Sequence, residues 1–348
     1  MNTISKKEGR VSWKSPSNIA LVKYWGKYGR QYPQNPSISF TLSEAHTITQ
    51  IDYLYREKKD AVSVTFLFEG KENLQFEEKI TKYLTSIIDV SPIILNLDLR
   101  IESMNSFPHS SGIASSASSM SALAMCLIDI ESQLNNNSAL DLQKASILSR
   151  LASGSACRSV YEKIAVWGES EFVEGSSNDY AIPYIDTINP IFHNFHDDIL
   201  IISADEKSVS SRAGHALMDN NPYADSRFKQ ANEHLEQLIK SMQSGDLESF
   251  GSIVEKEALT LHALMMASSP PYILMEPNTL LAINQIQRFR KESKVPVYFT
   301  LDAGPNIHLL YPHKFVHEVG ILKEKLIDYC VDDRIIKDCV GNGPEKIE

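Results

Sequence analysis

The 348-residue chain is 43% hydrophobic and 22% charged, enough apolar content for a substantial core in one large domain or two, and its formal net charge of −10 opposes nonspecific attraction to nucleic acid or an anionic membrane. The four cysteines form no CxxC pair, the ten histidines form no HExxH, and no apolar run approaches the ~20 residues that span a bilayer. A structural metal and a membrane anchor are therefore set aside, and any anionic ligand must be held by local positive charge.

In chain order, the start MNTISKKEGRVSWKSPSNIA lacks the apolar stretch of a secretory signal, so a reduced cytoplasm is the expected compartment. The runs ISFTLS (38–43), HTITQIDYLY (46–55) and AVSVTFLFEG (61–70) are β-rich with partial alternation and predict an antiparallel sheet. The spacing of ENLQFEEKITKYLTSII (72–88) predicts an amphipathic helix, and the alternation of Leu95, Leu97, Leu99 and Ile101 predicts a strand. That strand leads directly into PHSSGIASSASS (108–119), after which helices are predicted over 117–131 and 138–151 and a short strand at IAVWG (164–168). The Pro- and His-containing segment DTINPIFHNFHDD (186–198) reads as a connector between an N-terminal domain, 1–190, and a C-terminal domain, 191–348. Beyond it, ILIISA (199–204) opens a region with helices predicted over 225–243, 246–266 and 278–291 and strands at VPVYFTLDAG (295–304) and IHLLYP (307–312). Both halves read as mixed α+β domains, with no internal repeat or coiled-coil heptad.

A strand, a small-residue loop and a helix together make an anion cradle, because backbone N–H groups and the positive end of the helix dipole point at the loop. Ser110, Ser111, Ser115 and Ser116 add hydroxyl donors or metal ligands, which suits a nucleoside triphosphate with Mg²⁺; on composition alone the stretch reads equally as a helix cap followed by small-residue packing. No Walker A string occurs. Asp302 follows an apolar β-like run and precedes a Gly-Pro turn, a place for a carboxylate at a strand end or for a simple turn former. Lys23 lies in ALVKYWGK, where a partly desolvated cation can be aimed at a phosphoryl group. In the same string Tyr24 and Lys27 offer a hydroxyl and a charge, or else core filling and a surface charge. In SGSACRS, Arg158 offers the planar fork that fits a carboxylate, and Cys157 reads as buried filler.

Taken together, FPHSSGIASSAS (107–118), SNIALVKYWGK (17–27), NPSISFTL (35–42), SGSACRS (153–159) and FTLDAGPN (299–306), with weaker VSSRAG (209–214) and GNGP (341–344), resemble the diphosphomevalonate decarboxylase family of the GHMP kinase superfamily, in that family's order and over nearly the whole chain. The resemblance implies an α+β, two-domain GHMP kinase fold: an N-terminal ribosomal-protein-S5-domain-2-like domain and a C-terminal ferredoxin-like domain carrying the catalytic Asp. It implies ATP-dependent decarboxylation of mevalonate 5-diphosphate to isopentenyl diphosphate, with Mg²⁺, in isoprenoid biosynthesis. Carried over by position, Ser110, Ser111, Gly112, Ser115 and Ser116 bind ATP, with Ser116 also a magnesium ligand. The same carry-over implies that Asp302 faces the 3-hydroxyl, that Arg158 holds the substrate carboxylate and that Ser153 and Ser155 line the acceptor pocket, while Lys23 is assigned to the transferring phosphoryl group from its own apolar, aromatic setting. Tyr24, Lys27, Ser211 and Arg212 hold the diphosphate.

The chain departs from the family pattern at His109 in place of threonine, at His215 in place of methionine, and in the strand VSVTFLFEG, which lacks an arginine; Lys71 is the nearest cation in sequence. The expected partner is a small-molecule substrate, not nucleic acid or membrane, and a homodimer is the expected assembly. The rival readings are a kinase that phosphorylates the 3-hydroxyl without decarboxylating, an enzyme for mevalonate monophosphate, and a noncatalytic GHMP-like binding module.

Overall fold

The computed structural model describes residues 7–57, 59–107, 115–137, 139–205 and 209–347. The first half runs β1 (Glu8–Val22), a small hairpin of β2 (Lys27–Tyr28) and β3 (Tyr32–Pro33), β4 (Ser37–Tyr55), β5 (Ser63–Phe68), β6 (Lys71–Glu72), α1 (Leu74–Ser86), β7 (Leu97–Asn105), α2 (Ser115–Leu134), α3 (Leu142–Ala152), β8 (Ile164–Trp167) and β9 (Ala181–Pro183). The second half adds β10 (Phe195–Leu200), α4 (Ser211–Ala216), α5 (Ala224–Ser244), α6 (Leu247–Met266), α7 (Pro277–Ser293), β11 (Tyr298–Thr300), β12 (Ile307–Pro312), α8 (Val316–Leu326), β13 (Ile335–Ile336) and β14 (Glu345–Lys346). An eight-stranded sheet has the order β14-β1-β4-β7-β5-β6 with β8 paired to β4 and β9 to β8, and a four-stranded sheet has the order β11-β12-β10-β13.

One core lies between the large sheet and α1, α2 and α3, another between the small sheet and α7 and α8. A third joins the halves: Ile19, Leu21, Ile38 and Phe40 of the large sheet pack with Leu235 and Leu238 of α5 and Phe250 and Val254 of α6. The segment expected to be a connector supplies part of this seam. Phe195 opens β10 inside it, and the rings of Phe192 and Phe195 stack on each other 5.3 Å apart while Phe250 meets the first tilted and the second edge-on. The buried aromatic area drives the segment into the core, which the nearby proline and polar residues concealed in sequence.

The runs ISFTLS and HTITQIDYLY form one strand, β4, broken by a bulge where the pairing passes from Asn18↔Thr41 to Pro16↔His46. Pro16 sits at this register shift, where its missing N–H disrupts no continuous ladder. Asp338, returning from the far end of the chain, closes the bulge: its carboxylate accepts the backbone N–H groups of Ser43 (2.8 Å), Glu44 (2.9 Å), Ala45 (2.7 Å) and its neighbour Cys339 (2.7 Å). In Asp338→Asn, either orientation of the amide turns an NH₂ toward a buried N–H donor, so unfolding free energy falls by about 1–3 kcal/mol in denaturant titration. Unchanged stability would contradict this role.

Candidate active site

β1 ends at Val22, and the next residue, Lys23, turns its side chain inward with 2% of it exposed. Its Nζ lies 3.0 Å from Asp302 Oδ1, although the two residues come from opposite ends of the chain. Asp302 follows β11 in a tight turn, its carbonyl accepting from Gly304 N–H at 2.8 Å and from His262 Nε2 at 3.1 Å. Burial pulls the Lys23 ammonium below the usual lysine range, while the carboxylates of Asp302 and Glu257 work in the other direction. The pair thus joins a desolvated cation to a partly exposed carboxylate on one cavity of about 790 Å³, which both line.

On the same cavity, the turn Gly154–Val160 presents Arg158, whose guanidinium is buried and, among the described residues, held by neutral groups. Nη1 donates to Ser37 Oγ at 2.7 Å, Nε to Ser39 Oγ at 3.1 Å, and Nη2 to Asn18 Oδ1 at 3.1 Å. Among the described residues it has no carboxylate within ion-pair distance. A buried cation is costly to leave without an opposite charge, so this arrangement is built to receive an anion. The turn must start with glycine, because a Cβ at Gly154 would stand 2.8 Å from both the Trp167 ring and the Tyr24 hydroxyl. Ser153 and Ser155 line the cavity beside it, and Ser153 Oγ lies 3.2 Å from Ser116 Oγ in the first turn of α2.

A third wall carries more positive charge. The Tyr24 ring stacks on His215 at 4.7 Å and meets Trp167 edge-on at 4.8 Å, and burial raises its hydroxyl pKa, keeping it a donor. Lys27 donates to Gln31 Oε1 at 2.8 Å, and burial together with the nearby Arg212 charge pushes its pKa down to about 8. Ser211 and Arg212, exposed in the first turn of α4, complete this wall. His215 Nδ1 accepts from Gly26 N–H at 3.0 Å, which places the neutral ring's proton on Nε2; burial and Lys27 keep its pKa well below the ordinary histidine range. Gly214 before it is required by close approach, since a Cβ there would lie 2.6 Å from the Trp25 ring.

The cavity extends under β5 and α1, where Phe66, Phe68 and Phe76 form an apolar lobe bordered by Lys79 and Lys82. These two lysines, not Lys71, are the cations at that end; Lys71 is exposed on β6 and lies outside the lining. Ser110, Ser111, Gly112 and His109 lie outside the described residues, whereas Ser115 and Ser116 line the cavity. Cys157 is fully buried and its thiol is pushed up to about 12, so it is no nucleophile. Among the described residues no group of three or more His, Cys, Asp or Glu side chains could hold a metal ion, and no helix is long and apolar enough to cross a membrane.

Asn18, Ser37 and Ser39 stood within the quoted motifs without a role, although a serine and an asparagine in apolar β-rich runs signal a polar partner. Arg227, Glu257 and His262 were read only as parts of amphipathic helices. Glu257 is fully buried, and its position on the apolar face of α6 was the available signal.

Residues 15–179 match the family described as diphosphomevalonate decarboxylase-like N-terminal domain, and residues 198–346 match the mevalonate 5-diphosphate decarboxylase C-terminal domain. The diphosphomevalonate decarboxylase of Candida albicans is 26% identical, covering 95% of this chain and 96% of that relative. The phosphomevalonate decarboxylase of Haloferax volcanii is also 26% identical, covering 86% and 87%. A solved structure of MDDEF in complex with MVAPP, AMPPCP and magnesium superposes with a TM-score of 0.82 at 26% identity, covering 98% of this chain and 99% of the other. The mixed α/β, two-domain GHMP-type fold expected from the motifs is the fold found.

Proposed function

Because this chain belongs to the diphosphomevalonate decarboxylase family, we propose that it converts mevalonate 5-diphosphate to isopentenyl diphosphate with ATP as co-substrate, releasing ADP, phosphate and carbon dioxide. The observation that carries this reading is the buried Lys23 ammonium paired with Asp302 and sharing one cavity with a guanidinium that, among the described residues, has no carboxylate within ion-pair distance. A tertiary hydroxide leaves badly, so the 3-hydroxyl is first phosphorylated. Loss of that phosphate and cleavage of the carboxylate then build positive character at the tertiary carbon.

Each side chain has work in this sequence. Asp302 accepts or orients the hydroxyl proton, and its negative charge favours the later cationic transition state. Lys23 directs its ammonium at the transferring phosphoryl group, and its low exposure strengthens that interaction. Arg158 holds the substrate carboxylate, its fork already oriented by Asn18, Ser37 and Ser39. Ser153 and Ser155 shape the pocket between them. Ser115 and Ser116, with the N-terminal end of the 20-residue α2, suit the triphosphate of ATP. Magnesium would fit as an ion carried by those phosphates, with the Ser116 hydroxyl as an oxygen ligand, and would there neutralise phosphate charge; among the described residues no cluster of His, Cys, Asp or Glu offers it a protein cage.

Tyr24, Lys27, Ser211 and Arg212 support a diphosphate over a monophosphate, since they gather two hydroxyl donors and two cations on one wall. The expected kcat/KM for the 5-diphosphate exceeds that for the 5-phosphate by ~10²-fold or more, and the reverse order would overturn the substrate assignment. Lys27 also sets a pH limit. With its pKa about 8 it is charged below that pH and loses its proton above it, so kcat/KM falls as pH rises past about 8. Arg212→Gln removes a neighbouring positive charge and shifts this limb upward, and Lys27→Arg abolishes its contribution. An alkaline limb unmoved in both variants would take Lys27 out of substrate binding. A cytoplasmic homodimer completes the proposal.

A further inference from the structure

The backbone of Lys23 is held by a buried charge cluster that no step of the proposed reaction uses. Glu257 Oε2 of α6 accepts the Lys23 N–H at 2.8 Å, and Arg227 Nη2 of α5 donates to the Lys23 carbonyl at 2.6 Å. Arg227 and Glu257 also pair with each other through two hydrogen bonds of 2.6 Å, with side chains 1% and 0% exposed. Asn35 Nδ2 donates to the same carbonyl at 3.0 Å, and His234 Nδ1 contacts Glu257 Oε1 from α5. Burial alone would raise the Glu257 carboxyl, but the Arg227 charge and these hydrogen bonds hold it at about 2, so it is ionised. Little more than one turn further along α6, His262 Nε2 donates to the carbonyl of Asp302.

We propose that α6 is the jig for the reacting pair: Glu257, acting with Arg227, and His262 are positioning residues that fix the backbones of Lys23 and Asp302 so that their side chains meet. A buried ion pair is weak evidence for stability, because well-packed apolar residues of similar volume serve as well or better. Here both members of the pair reach past each other to the two backbone polar groups of one residue. The same helix then grips the residue that Lys23 touches. One rigid element therefore sets the Lys23–Asp302 separation across two sheets. This inference rests on the assignment of Lys23 and Asp302 to catalysis.

The test compares Arg227→Lys, which keeps a charge beside Glu257 but loses the planar fork, with His262→Phe, which removes the donor to Asp302, and His262→Gln, which restores an N–H donor. Purified enzyme with Mg-ATP and mevalonate 5-diphosphate should show kcat lowered ~10- to 100-fold in the first two, KM within about threefold, and substantial recovery in His262→Gln. Circular dichroism and melting curves establish which variants are folded; if Arg227→Lys is not, the His262 pair decides. Folded variants with kcat within twofold of the parent would overturn the inference. Lys23→Met and Asp302→Asn run alongside separate the two ideas. If these lose turnover while the α6 variants do not, only the jig is wrong; if these retain turnover, the catalytic assignment itself falls.

Discussion

Asp302→Asn lowers kcat by ~10³-fold or more while leaving substrate and nucleotide dissociation constants within about threefold. The substitution is nearly isosteric. The asparagine oxygen can still accept from Lys23 Nζ, now 3.0 Å from Asp302 Oδ1, and the backbone bonds from Gly304 and His262 do not involve the side chain. What disappears is the negative charge and the proton acceptor, the two properties needed once the alcohol is attacked and again as positive character grows at the tertiary carbon. Steady-state kinetics with calorimetric titration separates the effects. Undiminished turnover would remove Asp302 from its role, and a parallel loss of binding would make it a structural anchor.

Arg158→Met lowers kcat/KM by ~10²- to 10³-fold without comparable loss of stability, because removing one partner of a buried hydrogen-bonded charge pair typically costs about 2–5 kcal/mol in the bound complex. In the free protein the guanidinium is desolvated and, among the described residues, answered by the neutral groups of Asn18, Ser37 and Ser39 and by the rings of Tyr24 and Trp167. Replacing an unmatched buried cation by an apolar side chain of similar length should therefore change the unfolding free energy by only about 1 kcal/mol, in either direction. Activity and stability are separated at this residue, as expected of a group placed for a ligand. A variant that unfolds readily yet retains its kcat/KM would reverse the assignment.

The sequence and the molecule agree where local pattern and motif carry the information. Of the alternating Leu95, Leu97, Leu99 and Ile101, the last three became the buried face of β7 while Leu95 lies in the 3-10 turn Pro92–Asn96 before it, and the long periodic stretches became α5, α6 and α7. The motifs place Lys23, Arg158, Ser153 and Asp302 on one cavity even though they are far apart in the chain. What local pattern could not carry is tertiary. Strand β1 was not predicted, because EGRVSWKSPSNIALV mixes buried hydroxyls with apolar residues; Ser15 is tolerated inside only because its hydroxyl finds Ser121 of α2 at 2.7 Å. The bulge that makes β4 one strand depends on Asp338, almost three hundred residues away. The cations at the apolar end of the cavity are Lys79 and Lys82, which adjacency in sequence did not favour over Lys71. The roles of Glu257 and His262 are silent in sequence for the same reason, since the backbone groups they hold belong to distant segments.

Loss of the carboxylate from a phosphorylated tertiary alcohol in this cavity has a direct chemical readout. It is tested most directly by incubating the purified protein with Mg-ATP and mevalonate 5-diphosphate and measuring ADP and carbon dioxide separately. One carbon dioxide is expected for each ADP. ADP formed without carbon dioxide would show a kinase instead, and neither product would show a binding module; either result would contradict it.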